Sequence, residues 1–212
     1  MANNVIRLVS VRSRLKETKI KIMNNKEKYL SDDINIKYLS LVKKDIVERI
    51  VDYPDYPKPG ILFKDIMPVF NEPTLLAEIS DTLIAMSEDF DAIVAIESRG
   101  FALGAIMSVD CHKPVIFVRK KGRLPGECYS YEYDLEYGSA VLEIQKTSPI
   151  KPGMKVMIHD DILATGGTAL AAGKLVEMFG ATVSNYTFIA TIDGLGGYDL
   201  LGKDKVIDIV TY

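Results

Sequence analysis

Short apolar runs recur along this chain, each too brief for a helix and each followed by a segment of helical rhythm. Ala92–Ile96 (AIVAI), residues 114–118 (PVIFV) and Lys155–His159 (KVMIH) carry few polar side chains, the pattern of strands buried on both faces. The spacing predicts helices over residues 73–87, 100–109 and 167–179, the last stopped by Gly180. An earlier helix is expected behind Ser31, Asp32 or Asp33 as cap, because Leu39, Val42, Ile46, Val47 and Ile50 recur at helical spacing. Ser139–Gln145 alternates like an antiparallel strand, with Ala140, Leu142 and Ile144 on one side. Strands over Thr182–Thr191 and residues 206–210, with a short helix near residues 198–201, complete the chain. Strands alternating with helices at this spacing predict an α/β fold with a mostly parallel central sheet flanked by helices. Ligands in such sheets bind at the carboxyl ends of the strands.

The segment from Asp52 to Gly60, DYPDYPKPG, interrupts this rhythm. Its three prolines rule out a helix interior or a central strand and predict an ordered loop. Residues 121–137 have no helical period. The 212 residues suit one domain, expected over 31–212, behind a basic leader over 1–30. The formal net charge is −3, yet residues 1–50 carry twelve Lys/Arg against six Asp/Glu. That front lacks interleaved aromatics, so a solvated face is expected there rather than a nucleic-acid surface. Residues 1–22 hold Glu17 as the sole acid among six cations, which permits an organelle-targeting reading but favours a plain leader. Two cysteines, Cys111 and Cys128, are too few for a disulfide framework and sit in no zinc motif, so a cytoplasmic, reducing location is expected. No apolar run approaches the roughly 20 residues of a spanning helix.

The most specific motif is VMIHDDILATGGT, residues 156–168. A buried strand runs into Asp160 and Asp161, and Ala164-Thr165-Gly166-Gly167-Thr168 then opens a helix. Two glycines between threonines let the backbone turn its N–H groups inward, and the helix adds its positive end, so the loop suits a phosphate. The aspartates cannot take phosphate, but they can accept from sugar hydroxyls and hold magnesium waters. Phosphate at one end and diol acceptors at the other describe a ribose 5-phosphate. No P-loop or dinucleotide fingerprint is present.

A second cluster lies after two other strands. Ser98, Arg99 and Gly100 follow AIVAI, giving a cationic fork beside a glycine that lets a ligand approach the backbone. Arg119, Lys120, Lys121 and Arg123 follow PVIFV, four cations whose place after a buried strand suits a second anionic group better than a solvated face.

The 156–168 motif resembles that of the type I phosphoribosyltransferases, and three further segments resemble the adenine phosphoribosyltransferases within them. These segments are DYPDYPKPGILFKDIMPVF, ESRGF, and RKKGRLPGE followed by YEYDLEYG. The likeness covers residues 45–212 and implies the type I fold with a flexible lid and a small base-binding hood. It implies transfer of the 5-phosphoribosyl group of phosphoribosyl pyrophosphate (PRPP) to adenine, giving AMP and pyrophosphate, with Mg2+ carried mainly by PRPP near Asp160 and Asp161. It implies 5-phosphate binding by residues 164–168 and pyrophosphate binding by Ser98, Arg99, Arg119, Lys120 and Arg123, with a cis peptide between Glu97 and Ser98. Phe63 would stack on adenine with Leu62 beside it, Lys64 would read the base edge through its backbone, and Ile192 would close the pocket. Lys64 stands where the family has arginine. Glu136, with Tyr137, is the candidate for proton management at the base, and a homodimer is implied. His159 replaces an apolar residue of the family and reads as a strand histidine with a satisfied hydrogen bond. Xanthine, hypoxanthine or orotate as the base, and a PRPP-sensing regulator, are the alternatives.

Overall fold

A computed structural model describes residues 33–134 and 139–212. The leader and residues 135–138, which include Glu136 and Tyr137, lie outside the described residues. A boundary between Ala85 and Met86 divides the chain into two compact units.

In the N-terminal unit, α1 (Asp33–Val47) buries Val42 and Ile46, two of the residues whose spacing predicts it. The proline-rich segment differs from the expected loop. β1 (Val51–Pro54) pairs antiparallel with β2 (Leu62–Asp65), so the segment is the first strand and turn of a hairpin. Pro54 is tolerated because it is the last residue of its strand, where the missing N–H interrupts no pairing beyond it. Asp55, at φ 58, accepts the Gly60 amide on Oδ1 at 2.7 Å and closes the turn. A short α2 (Met67–Phe70) and α3 (Pro73–Met86) follow, the latter burying Leu75, Leu76, Ile79 and Leu83.

The C-terminal unit is built on one sheet. Its strands are β3 (Ala92–Ile96), β4 (Val115–Lys120), β5 (Cys128–Asp134), β6 (Ser139–Gln145), β7 (Lys155–His159), β8 (Ile162–Leu163), β9 (Thr182–Thr191) and β10 (Val206–Thr211). The spatial order is β10-β9-β7-β3-β4-β6-β5, with β8 paired to β9. From β10 to β4 neighbours run parallel, while β6 pairs antiparallel with both β4 and β5. The expected mostly parallel α/β sheet is therefore present. β5 was not foreseen: Tyr129, Tyr131 and Tyr133 alternate with smaller or polar residues, a period-two signal carried by aromatics instead of aliphatics. All three tyrosines pack against the core.

α4 (Arg99–Cys111) connects β3 to β4, and α5 (Gly167–Glu177) connects β7 to β9. Ala92, Val94, Ile96, Val156 and Ile158 share one cluster with Ala169, Ala172, Leu175 and Val176 of α5. Alternate residues of β3 meet α4, where Gly104 comes so close that an added Cβ would stand 2.7 Å from the Ala95 Cβ. A short α6 (Gly197–Leu201) precedes β10. Among the described residues, no helix is long and apolar enough to cross a membrane.

The Gly104 contact gives a direct test of the packing. Gly104→Val gains helix propensity but drives a branched side chain into β3, so it is expected to lower unfolding free energy by roughly 1–3 kcal/mol. Urea unfolding would show it, and an unchanged midpoint would mean that α4 does not lie on β3 as described.

Candidate active site

The sheet order turns distant sequence segments into neighbours. β4, β3, β7 and β9 are adjacent and parallel, so their carboxyl ends emerge side by side. Those ends carry Arg119 and Lys120, Glu97-Ser98-Arg99, Asp160-Asp161 and Ile192 respectively. The chain leaves β3 towards β4 on one side and leaves β7 towards β9 on the other. The β3/β7 crevice is therefore a topological switch point, where α/β sheets bind ligands. With strands about 4.8 Å apart, the ends of β4 and β7 are separated by about 10 Å.

The expected phosphate cradle is the turn between β8 and α5. Gly166 sits at φ 83, a left-handed conformation that a side chain would strain, and serves as the N-cap of α5. No side chain caps the helix, and the Leu170 amide makes a helical bond back to the Gly166 carbonyl. The amides of Gly167, Thr168 and Ala169 therefore precede the first helical partner and are available to an anion. An open cavity of about 90 Å3 lies there, lined by Asp160, residues 162–169 and Phe188. Gly197 backs the loop: a Cβ there would collide with the Ala164 carbonyl oxygen and the Leu163 side chain. No local sequence signal marks Gly197 for this part, because the loop it backs lies more than thirty residues upstream. On the other flank, Thr168 Oγ1 donates to the Tyr133 hydroxyl at 3.3 Å, linking the cradle to β5. Tyr133 is a second residue that the sequence reading missed, because β5 itself was unseen.

Asp161 is buried, and Asp160 is half-buried with its Oδ1 accepting the Asp161 amide at 2.9 Å. Burial raises the pKa of both carboxyls, and for Asp160 the neighbouring Asp161 charge adds to it. Arg99 opposes this: its Nε stands 2.5 Å from Asp161 Oδ2 and matches the charge without an aligned hydrogen bond. Two adjacent carboxylates, with Asp161 Oδ2 left without a hydrogen-bond donor among the described residues, are suited to sugar hydroxyls and cation-bound waters. Gly100 lets this happen at close quarters, since a Cβ there would lie 2.9 Å from the His159 carbonyl and 3.2 Å from Asp160.

Ser98 precedes α4 with its hydroxyl making no cap bond, and the Glu97–Ser98 peptide is cis, as the resemblance implies. β4 continues two residues past the expected strand, so Arg119 and Lys120 belong to its end. Arg119 and Arg123 both pair with Glu97, a residue that the charge pattern alone did not single out. In the N-terminal unit, Phe63 packs edge-on against Tyr56 at 5.1 Å, and Lys64 pairs with Asp52 at 2.8 Å while Leu62 is exposed. The Lys64 side chain is thus engaged within its own hairpin. Ile192 lies half-buried beyond β9, its amide bonded to the Leu163 carbonyl at 2.8 Å beside the cradle.

His159 is completely buried on β7, with Nδ1 3.1 Å from both the carbonyl oxygen and the hydroxyl of Thr187. Nε2 is buried without a hydrogen-bond partner among the described residues. Burial lowers its pKa to about 4, only partly offset by the Thr187 bond, so the ring is neutral. The unfolded histidine titrates near 6.5, so the native state resists protonation and the unfolded state gains protons first. The resulting stability is fully present above pH 6.5 and is lost as pH falls towards 4. Unfolding free energy should therefore drop by about 3 kcal/mol more in the wild type than in His159→Leu across that window. Parallel slopes in denaturant titrations at successive pH values would refute this account.

Residues 72–204 match the family model of the phosphoribosyl transferase domain. The adenine phosphoribosyltransferase of Cenarchaeum symbiosum is 44% identical over 170 residues, covering 79% of this chain and 99% of that protein. The crystal structure of the adenine phosphoribosyltransferase from Thermoanaerobacter pseudethanolicus superposes with a TM-score of 0.76 at 39% identity, over 80% of this chain and 99% of its own. That of the Saccharomyces cerevisiae enzyme, complexed with adenine and D-2,5-dideoxy-2,5-imino-altritol 1,6-bisphosphate, gives 0.75 at 38% identity, with 80% and 99% covered.

Proposed function

The chain belongs to the adenine phosphoribosyltransferase family, and from that premise we propose that it transfers the 5-phosphoribosyl group of PRPP to adenine, releasing AMP and pyrophosphate. The observation that carries the reading is the line of strand ends. An anion cradle at residues 164–168, a carboxylate pair at Asp160 and Asp161 and a cationic strand end at Arg119 and Lys120 stand in the order in which PRPP carries its groups.

In this reading the amides and threonines of the cradle hold the 5-phosphate, and Asp160 and Asp161 accept from the ribose hydroxyls. Ser98, Arg99, Arg119, Lys120 and Arg123 take the pyrophosphate and hold its charge as its anomeric C1–O bond breaks and the N-glycosidic bond to adenine forms. By the family resemblance, Phe63 stacks on adenine with Leu62 beside it and Lys64 reading the edge, and Ile192 is a further adenine-contacting residue. Glu136 manages the proton of the base, with Tyr137 next to it. The hairpin of β5 and β6 shields the oxocarbenium-like centre from water, and the Tyr133–Thr168 bond seats that hairpin on the cradle.

Magnesium fits the same site as an ion brought by the substrate. Among the described residues, no three His, Cys, Asp or Glu side chains converge as a metal cage. Asp160 and Asp161 would complete its shell through waters, and the ion would neutralise pyrophosphate charge. A homodimer is part of the proposal, carried by the family resemblance. Cys111 and Cys128 are not joined in a disulfide, which suits a reducing compartment such as the cytoplasm.

AMP formation from adenine and PRPP tests the whole reading, and turnover of xanthine or hypoxanthine but not adenine would overturn the choice of base. Asp160→Asn combined with Asp161→Asn is expected to lower kcat/KM roughly 10²-fold or more, as two charge-assisted hydrogen bonds are weakened. Undiminished turnover would remove the pair from the site. Phe63→Ala should raise KM for adenine roughly 5- to 100-fold through lost stacking, with KM for PRPP little changed. Equal loss for both substrates in steady-state kinetics would reject the stacking role.

A further inference from the structure

Glu97 is an acid at the end of a buried strand, with its side chain only 6% exposed. Its Oε1 accepts from Arg119 Nη2 at 3.2 Å and from Arg123 Nη1, and its Oε2 accepts the Lys120 amide at 3.0 Å. Its own amide donates to the Val118 carbonyl at 3.0 Å. Arg119 Nη1 in turn donates to the Arg123 carbonyl at 3.0 Å, so backbone and side chains of the turn 119–123 are gathered around one carboxylate. A second buried acid, Glu143 on β6, holds the same turn from its other side. It accepts the Gly122 amide at 2.9 Å and the Ser130 hydroxyl at 3.2 Å.

Two guanidinium groups brought together repel each other, and without a counter-charge their long side chains would separate into water. A carboxylate between them removes that repulsion and fixes both forks relative to the strand. Arginine has five N–H donors, so a guanidinium held by one carboxylate keeps others for a second anion. Arg119 Nε is one such donor, buried and without an acceptor among the described residues. Burial alone would raise the Glu97 carboxyl, but the Lys120 amide and the two arginines outweigh it and hold the pKa at about 2. Glu97 is therefore an anion at any working pH.

We propose that Glu97 is a positioning residue for the pyrophosphate end of PRPP, aligning Arg119 and Arg123 so that both present their remaining donors to the departing group. It acts through those arginines and does not itself touch the substrate. This rests on the PRPP-transfer reading above.

Glu97→Gln keeps the shape and one acceptor but removes the charge that holds the pair. KM for PRPP and the inhibition constant for pyrophosphate are expected to rise together by about tenfold or more. KM for adenine and the affinity for ribose 5-phosphate should stay within about twofold, because the cradle and the base pocket are untouched. In an Arg123→Gln background the same substitution should have a smaller effect, since one of its two targets is gone. An unchanged or lowered PRPP KM and pyrophosphate constant would overturn the proposal. A uniform weakening of all ligands with a lower thermal midpoint would also overturn it, showing that Glu97 only supports the fold. If the wild type forms no AMP, the functional reading fails instead. Calorimetric pyrophosphate binding by the wild type and Glu97→Gln would still decide the role of Glu97.

Discussion

Parallel pairing of β4, β3, β7 and β9 is the constraint on which the rest depends. Parallel neighbours point their carboxyl ends the same way, so residues from Arg99 to Ile192 reach one edge of the sheet without any loop having to stretch. The register is fixed by burial. β3 is apolar and buried on both faces, and a one-residue slip would send Ala95 into the cluster under α5 and leave Val94 facing Gly104. The close approach of α4 to β3 would not survive that exchange, because the space against Gly104 admits a methyl group and little more. Precision at the site is thus inherited from packing several residues away from it.

What the sequence revealed and what it hid follow from the range of the signals. Apolar runs and helical periods are local, so β3, β7, β9 and the helices between them were legible, and DDILATGGT marked the cradle because its chemistry sits on consecutive residues. The hairpin of β1 and β2 was not read as strands, since prolines dominate the signal although the last position of β1 accommodates Pro54. β5 was missed because its alternation is written in tyrosines, within a segment that also resembles a lid. Glu97 was visible only as part of ESRGF. Its meaning depends on Arg119 and Arg123, more than twenty residues away and brought beside it by β3–β4 pairing. His159 could be read as a strand histidine, but the bond to Thr187 that holds it depends on the register of β7 with β9.

The candidate site is charged yet internally balanced. Arg99 stands against Asp161, and Arg119 and Arg123 against Glu97, so the cations that would meet a polyanion are already fixed by carboxylates of the protein. This arrangement keeps long side chains from searching rotamers when the substrate arrives, which lowers the ordering cost of binding. It also keeps the net field of the crevice moderate, so recognition rests on where donors stand more than on raw attraction. The cradle complements this with backbone amides, which carry no net charge and are positioned by the fold alone.

Gly197 lies against Ala164, and β10 completes the sheet beyond β9, so the loop at 164–168 takes its shape from residues far downstream. This has a consequence for the order of events during synthesis. A chain still on the ribosome can have emerged through Thr168, with the whole motif outside the tunnel, and lack the surface that moulds it. The loop gains the neighbours it packs against only when the C-terminal segment has cleared the exit and docked. Truncated products that end before Gly197 would therefore carry the family's most recognisable sequence without the surface that shapes it.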